Sequence, residues 1–276
     1  VKLLLTGAGG QLGHDLVSVL GSHDLTAVGH ADLDIGDPAA VEAALEAIRP
    51  DVVVNAAGWT EVDACESDQR RAFRDNAFAV RLLAHGCRRN GAHLVTISTD
   101  YVFDGTKDDA YHEWDVPNPR SVYGASKLAG EREAGPEATI VRTSWLCGEH
   151  GPNMVKTILR LLAEQPTLRF VEDQIGHPTF TSDLALVVAD LAVQRRAGVY
   201  HVTNQGAVSW YEFARAVAAE VGADPDRIEP VTTAEVPRPA TRPANSRLDN
   251  LALELVGMDR LRDFREPLSE LITKLT

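Results

Sequence analysis

Cysteine is nearly missing from this 276-residue chain: Cys65, Cys87 and Cys147 are an odd number and share no C-x-x-C spacing. That argues against a disulfide framework. Nine histidines are scattered, without an H-E-x-x-H or a Cys/His cluster at ligand spacing, so no metal centre is expected from them. No apolar run reaches the ~18 residues of a membrane span. In "VKLLLTGAGG" the apolar stretch ends after three leucines, well short of a signal peptide's apolar region. Positive charge is in deficit, with a net charge of -13, which opposes non-specific attraction to nucleic acid or anionic membrane. The expectation is a soluble cytoplasmic protein with no nucleic-acid and no membrane partner. An anionic ligand would have to be held by a local cluster of donors. Lysine is scarce as well: arginine supplies 22 of the 27 basic residues, so each of the five lysines calls for its own explanation.

What is present is enough apolar sequence, 44%, to bury a substantial core. Short apolar runs alternate with helical patterns through the first half, the rhythm of a parallel sheet covered on both faces. Strands are expected over 2–6, 25–28, 52–55, 94–98 and 139–142, and helices over 11–20, 39–48, 69–90 and 122–133. After residue 145 the pattern becomes mixed, with helices over 153–163, 182–194 and 210–221 and strand-like "TLRFVEDQ" and "GVYHVTN" between them. We therefore expect a dinucleotide-binding domain over 1–150 and a smaller α+β domain over 151–276. The helix near 182–194 should return to the first domain, which makes the boundary discontinuous.

"LLLTGAGGQLG" reads as strand, glycine turn, helix. Gly7, Gly10 and Gly13 fall three apart, with Gly9 in addition, and Gln11 and Leu12 open the helix. Glycines there let backbone amides approach a pyrophosphate at a helix N-terminus, where the dipole also favours an anion. A glycine pattern alone could be a plain tight turn, but here it follows a strand and opens a helix within a βαβ unit, the context that gives it meaning. An NAD site usually places an acid ~20 residues beyond the glycines. In "AVGHADLDIGD" that place holds Gly29 and His30, and the first acids are Asp32 and Asp34. The gap leaves room for a 2′-phosphate, so NADPH is expected, with NADH left open as a second cofactor.

Two further segments carry chemistry. "LVTISTDYVFDG" ends a strand in Ser98, Thr99 and Asp100, and ligands of open parallel sheets bind beyond the carboxyl ends of the strands. In "SVYGASKLAGE" a spacing of four stacks Tyr123 and Lys127 on one helical face. A phenol beside an ammonium is a candidate proton donor with a lowered pKa.

Glycine turn, strand-end hydroxyls and Tyr-x-x-x-Lys, in that order, resemble the extended short-chain dehydrogenase/reductase superfamily. The chain more narrowly resembles the dTDP-4-dehydrorhamnose reductase family, through "GAGGQLG", "RPDVVVNAAGWTEVDACES", "STDYVFDG", "VYGASKLAGE", "RTSWLCG", "EDQIGHPT" and "RPANSRLD". The resemblance implies a Rossmann-type doubly wound sheet with a smaller substrate-binding domain, and reduction of a sugar 4-keto group by NADPH. Tyr123 would give the proton, Lys127 would lower the phenol's pKa and hold the nicotinamide ribose, and Thr99 would hydrogen-bond the keto oxygen. It further implies cofactor contacts at Asp34, Ile35, Ala56, Ala57, Gly58 and Ser98. Implied substrate contacts are Val62, Asp100, Trp145, Arg242, Asn245 and Ser246, with Arg242 a candidate for the diphosphate of a nucleotide sugar. Thr60 and Asp63 read equally as a capping box.

Dehydration by an acid–base pair is disfavoured, because Asp100 is followed by Tyr101 and not by a glutamate. Two alternatives stay open: another deoxysugar 4-ketoreductase, such as one forming dihydrostreptose or another antibiotic sugar, and a non-catalytic NADP-binding regulatory subunit. Some family members use Mg²⁺ at a subunit contact. Here Asp15 matches one acidic place while Ser182 stands at another, so Mg²⁺ and a homodimer are left open.

Overall fold

A computed structural model describes residues 1–276. The first half runs β1 (Lys2–Thr6), α1 (Gln11–Leu20), β2 (Asp24–Val28), α2 (Pro38–Ile48), β3 (Val52–Asn55), α3 (Val62–Ser67) and α4 (Gln69–Phe73). A π-helical turn (Arg74–Phe78) leads into α5 (Ala79–Asn90), β4 (His93–Thr99), α6 (Val122–Ala134) and β5 (Thr139–Thr143). The second half comprises β6 (Leu146–Cys147), α7 (Met154–Glu164), β7 (Leu168–Val171), β8 (Ile175–Gly176), β9 (Thr179–Phe180), α8 (Thr181–Val193) and β10 (Gly198–His201). It closes with β11 (Val208–Ser209), α9 (Trp210–Glu220), β12 (Ile228–Val231), α10 (Leu251–Leu255) and α11 (Arg265–Leu275).

Six parallel strands form one sheet in the order β10-β5-β4-β3-β1-β2. Alternation along each strand sends successive side chains to opposite faces. Leu3, Leu5, Val52 and Val54 join one core with Leu12 and Leu16 of α1 and Leu184 and Val188 of α8. Leu4 and Val53 join the other, with Val41 of α2 and Leu83 of α5. After β1 the chain goes to β2 on one side, then crosses to β3 on the other. That reversal makes a crevice at the carboxyl ends of β1 and β3, the place where such sheets bind ligands.

The sequence "GVYHVTN" was expected in the smaller layer; its strand, β10, instead pairs with β5 at the edge of the main sheet. Helix α8 packs against α1, burying Leu184, Val188 and Leu191 there. A separate core gathers Val155, Ile158, Phe180, Phe213 and Leu268 from α7, β9, α9 and α11, together with Phe264 just ahead of α11, with small strand pairs β7–β12, β8–β11 and β6–β9 around it. This is an N-terminal Rossmann-like α/β fold with a smaller C-terminal α+β layer. The single helix expected over 69–90 is interrupted at 74–78. The wider turn carries Asn76 inward, where its side chain accepts from the Trp59 amide at 2.8 Å and donates to the Trp59 carbonyl and to Ser126 Oγ, each at 3.0 Å. Such π turns concentrate at functional sites. No helix is long and apolar enough to cross a membrane.

Candidate active site

The glycine turn after β1 is shaped by close approach. Gly7 has φ +78°, and a Cβ on it would lie 2.6 Å from the Ala56 carbonyl carbon; one on Gly13 would lie 2.1 Å from the Gly7 oxygen. A Cβ on Gly9 would meet nothing within 4 Å, so that residue borders open space. Gly10 precedes α1 without any capping side chain. The first-turn amides of Gln11, Leu12 and Gly13 are thus left for an outside acceptor, and the cradle fits a dinucleotide pyrophosphate. Ala56, Ala57 and Gly58, just past β3, form the opposite rim.

At the end of β2, Asp32 turns back on its own loop, its Oδ2 accepting from the Gly29 amide at 2.9 Å. Asp34 was expected at the cofactor. Its carboxylate accepts from the Gly36 amide at 2.9 Å and is paired with Arg74, and Ile35 beside it is buried. His30 is exposed at this end of the strand.

Beyond β4 and on α6 the reactive groups meet. Ser121 caps α6, its Oγ accepting from the Gly124 amide at 3.1 Å, and Glu66 of α3 accepts from the Val122 amide at 2.8 Å. These two caps fix the helix end that carries Tyr123. The phenol is buried, edge-on to Tyr101 with ring centroids 5.5 Å apart, beside Cys65, Trp59 and Val62. Burial raises its pKa, and the Thr99 hydroxyl offsets part of that rise. The nearby Asp100 carboxylate adds to the rise, opposite in direction to the lowering expected from Lys127. Lys127 Nζ donates to the Ile97 carbonyl at 2.6 Å and lies 3.7 Å from where a Cβ on Gly58 would sit. Burial lowers its pKa to about 8, with Glu131 opposing.

Thr99 Oγ1 donates to Asp100 Oδ1 at 2.8 Å and accepts from the Tyr101 amide at 3.2 Å. Asp100 is fully buried with Oδ2 unpartnered, and burial raises its pKa to about 6. Ser98 was expected to face the cofactor; its Oγ donates instead to Glu131. The reason is strand alternation, which turns consecutive residues to opposite faces.

The substrate side departs further from expectation. Arg242, expected at a diphosphate, forms a two-pronged pair with Asp63, one arm 2.9 Å long, and donates to the Ala240 carbonyl at 2.8 Å. That pair also replaces the capping box considered for Thr60 and Asp63, since α3 has no side-chain cap at its start. Asn245 holds a loop, donating to the carbonyls of Lys107 at 2.6 Å and Asp109 at 2.8 Å. Ser246 Oγ lies 2.6 Å, and the Trp145 ring 2.7 Å, from where a Cβ on Gly176 would sit. Trp145 has φ +48°, a left-handed conformation uncommon for a bulky residue and often found at functional sites. Its ring stacks on Trp210 with centroids 3.6 Å apart.

The structure thus brings together Gly58, Val62, Thr99, Asp100, Tyr123 and Lys127, and Ser246, whose hydroxyl faces both the Asp100 carboxyl and the Gly176 position that Trp145 covers, joins Trp145 to that group. The sequence reading passed over Asn76, Glu131 and Trp210. Its one usable signal was the alternation that should have separated Ser98 from Thr99.

Comparison with known proteins settles the family. The profile described as the RmlD substrate binding domain matches residues 1–276. The chain belongs to the dTDP-4-dehydrorhamnose reductase family. It is 44% identical over 280 residues to the dTDP-4-dehydrorhamnose reductase of Streptomyces griseus, covering 98% of this chain and 92% of that one. Identity is 43% over 279 residues to a probable dTDP-4,6-dihydroxy-2-methyloxan-3-one 4-ketoreductase of Streptomyces antibioticus, covering 98% and 94%. The crystal structure of dTDP-4-dehydrorhamnose reductase from Bacillus anthracis str. Ames in complex with NADP superposes with a TM-score of 0.95 at 36% identity, covering 99% of each chain. Members of this family type are NAD(P)H-dependent oxidoreductases, and this chain is one.

At the place where the resemblance implies magnesium for some members, one chain alone supplies no complete set of ligands. Asp15 and Ser182 share a cleft with Glu149, Glu270 and Lys274. Arg262 pairs with Glu270, Lys274 lies 3.6 Å from Glu149, and no three His, Cys, Asp or Glu side chains gather to hold a metal ion.

Proposed function

We propose that the chain reduces the 4-keto group of dTDP-4-dehydro-L-rhamnose to dTDP-L-rhamnose with NADPH. One observation carries the reading: Thr99 on β4 and Tyr123 with Lys127 on α6 converge at the carboxyl edge of the sheet, beside the glycine cradle. The dinucleotide, when bound, supplies hydride from its nicotinamide. The residues of this chain do the rest. Tyr123 presents its hydroxyl to the keto oxygen, where negative charge develops and a placed donor lowers the barrier, and Thr99 joins it by turning its one O–H from Asp100 to that oxygen. Tyr123 then gives its proton. A phenol raised by burial is fully protonated at neutral pH, the state a reductase needs at the start of the step, and it yields the proton only as the stronger alkoxide base forms. The Lys127 ammonium, next to Gly58 on the crevice rim, is placed for ribose hydroxyls.

NADPH over NADH is supported by the end of β2, where Gly29 and His30 stand at the place of a ribose-clasping acid, Asp34 is paired with Arg74, and Asp32 turns one oxygen back onto the Gly29 amide. The named activity of the Streptomyces griseus relative supports the rhamnose precursor as substrate. The 4-ketoreductase of Streptomyces antibioticus, at nearly equal identity, supports the second reading, reduction of another dTDP-deoxysugar. The deciding experiment follows NADPH and NADH oxidation at 340 nm with freshly made dTDP-4-dehydro-L-rhamnose and identifies the product by NMR. Formation of dTDP-L-rhamnose, faster with NADPH, is the expected result. Cofactor binding without consumption, or a different product, sinks the reading.

A further inference from the structure

Glu131 belongs to no part of that chemistry, yet three elements meet on its carboxylate. Oε1 accepts from Ser98 Oγ of β4 and from Arg142 Nε of β5 at 2.9 Å, and Oε2 accepts from Arg142 Nη2 at 2.7 Å. All three residues are buried. Glu131 stands one helical turn beyond Lys127 on the same face of α6. Lys127 in turn donates to the carbonyl of Ile97, the residue before Ser98. Helix α6 is therefore tied to β4 at two consecutive residues, Ile97 and Ser98, immediately ahead of Thr99. Arg142 backs the tie from β5, its guanidinium 5.2 Å from the Phe103 ring centroid and its Nη1 3.4 Å from His201 Nε2.

A buried ion pair is a poor device for stability, because an apolar pair of the same shape often serves as well. We propose that Glu131 is a positioning residue: its bonds to Ser98 and Arg142 hold α6 against β4 and β5 and so set the separation of Thr99 from Tyr123. The inference rests on the reductase reading for its kinetic part only. The titratable groups around this face are Asp100 and Tyr101 beyond β4, Cys65 of α3, Tyr123 and Glu131 of α6 itself, Arg142 behind Glu131, and His201 of β10 behind Arg142. Of these, Glu131 is the one that opposes burial at Lys127.

The test uses Glu131→Gln, which keeps the shape and loses the charge, and Ser98→Ala, which cuts one tie and leaves the ion pair. With ¹³Cε-labelled lysine, five signals are few enough to assign Lys127 by its loss in Lys127→Met. In Glu131→Gln the Lys127 midpoint should fall by about one pH unit, since an opposite charge one helical turn away favours the charged form and an uncompensated Arg142 disfavours it. kcat should fall about tenfold or more at unchanged NADPH Kd, and its pH profile should move the same way. For Ser98→Ala we expect a smaller fall in kcat at unchanged Kd and an unmoved Lys127 midpoint. An unmoved midpoint in Glu131→Gln, or parental kcat with only a lower Tm, overturns the proposal. If that variant does not fold, Ser98→Ala decides, and parental kcat there overturns it. The titration needs no turnover, so an inactive parent protein would count against the reductase reading and leave the Lys127 measurement standing.

Discussion

Trp145 and Trp210 lie face to face, their planes 8° apart and centroids separated by 3.6 Å, although 65 positions divide them in the chain. Trp145 leaves β5 in a left-handed conformation, and Trp210 opens α9, whose Phe213 stands in the core of the smaller layer. The stack thus couples a strained residue at the end of the main sheet to the rigid packing of the second core.

If Trp145 is a sugar-packing surface, Trp210 is its support. An aromatic pair is worth about 0.5–1.5 kcal/mol beyond area burial, which sets the scale at up to about tenfold. Trp210→Ala should raise KM for the sugar nucleotide by roughly that factor, leave kcat within about threefold, and abolish the coupled indole signal in near-UV circular dichroism. A changed kcat at constant KM would place Trp145 in the chemical step instead.

The glycine cradle gives a paired prediction. Gly9→Ala adds a methyl to open space, so Tm should hold while NADPH affinity drops at least tenfold. Gly13→Ala pushes a methyl onto the Gly7 carbonyl, which must move, so Tm and affinity should fall together. Equal cofactor affinity in Gly9→Ala, measured by nucleotide fluorescence, would mean that the pyrophosphate does not lie there.

The main sheet was readable because its signals are local. Leu3, Leu4 and Leu5 form a short apolar run with a glycine turn after it, and Tyr123 and Lys127 share a helical face. What the sequence hid depends on distance or on an exception to periodicity. Asp63 and Arg242 are 179 positions apart, so nothing local marks them as a pair. Asn76 sits where the 3.6-residue period widens, and a reading that carries that period through 69–90 turns its side chain to the wrong side. Glu131 lies on the legible face of α6, but its partner Arg142 comes from the next strand and reads there as one more core position.

Tyr123→Phe keeps the ring against Tyr101 and Cys65 and removes only the hydroxyl. Loss of a general acid typically costs 10²–10⁴-fold, so kcat should fall by about that much while the Kd for NADPH stays within about twofold. Single-turnover NADPH oxidation is the measurement. Parental turnover in this variant would take the proton donor's role away from Tyr123.

Asp100 predicts a pH dependence of stability whose sign is unusual for a carboxylate. Burial raises it to about 6, whereas in the unfolded chain it titrates near 3.9. Between those values the native state binds more protons than the unfolded one, so this group's contribution to stability falls as pH rises. The penalty is complete above pH ~6 and absent below ~4. Asp100→Asn cannot ionise and still offers Thr99 an acceptor, although its amide takes the place of an unpartnered oxygen. Its Tm should exceed the parent's by a few degrees at pH 8. The difference should shrink through pH 6 and vanish by pH 4. A two-unit shift corresponds to roughly 3 kcal/mol, an upper bound given the unpaired amide. Parallel Tm curves for the two proteins from pH 4 to 8 would show that the Asp100 carboxyl has found a partner in solution.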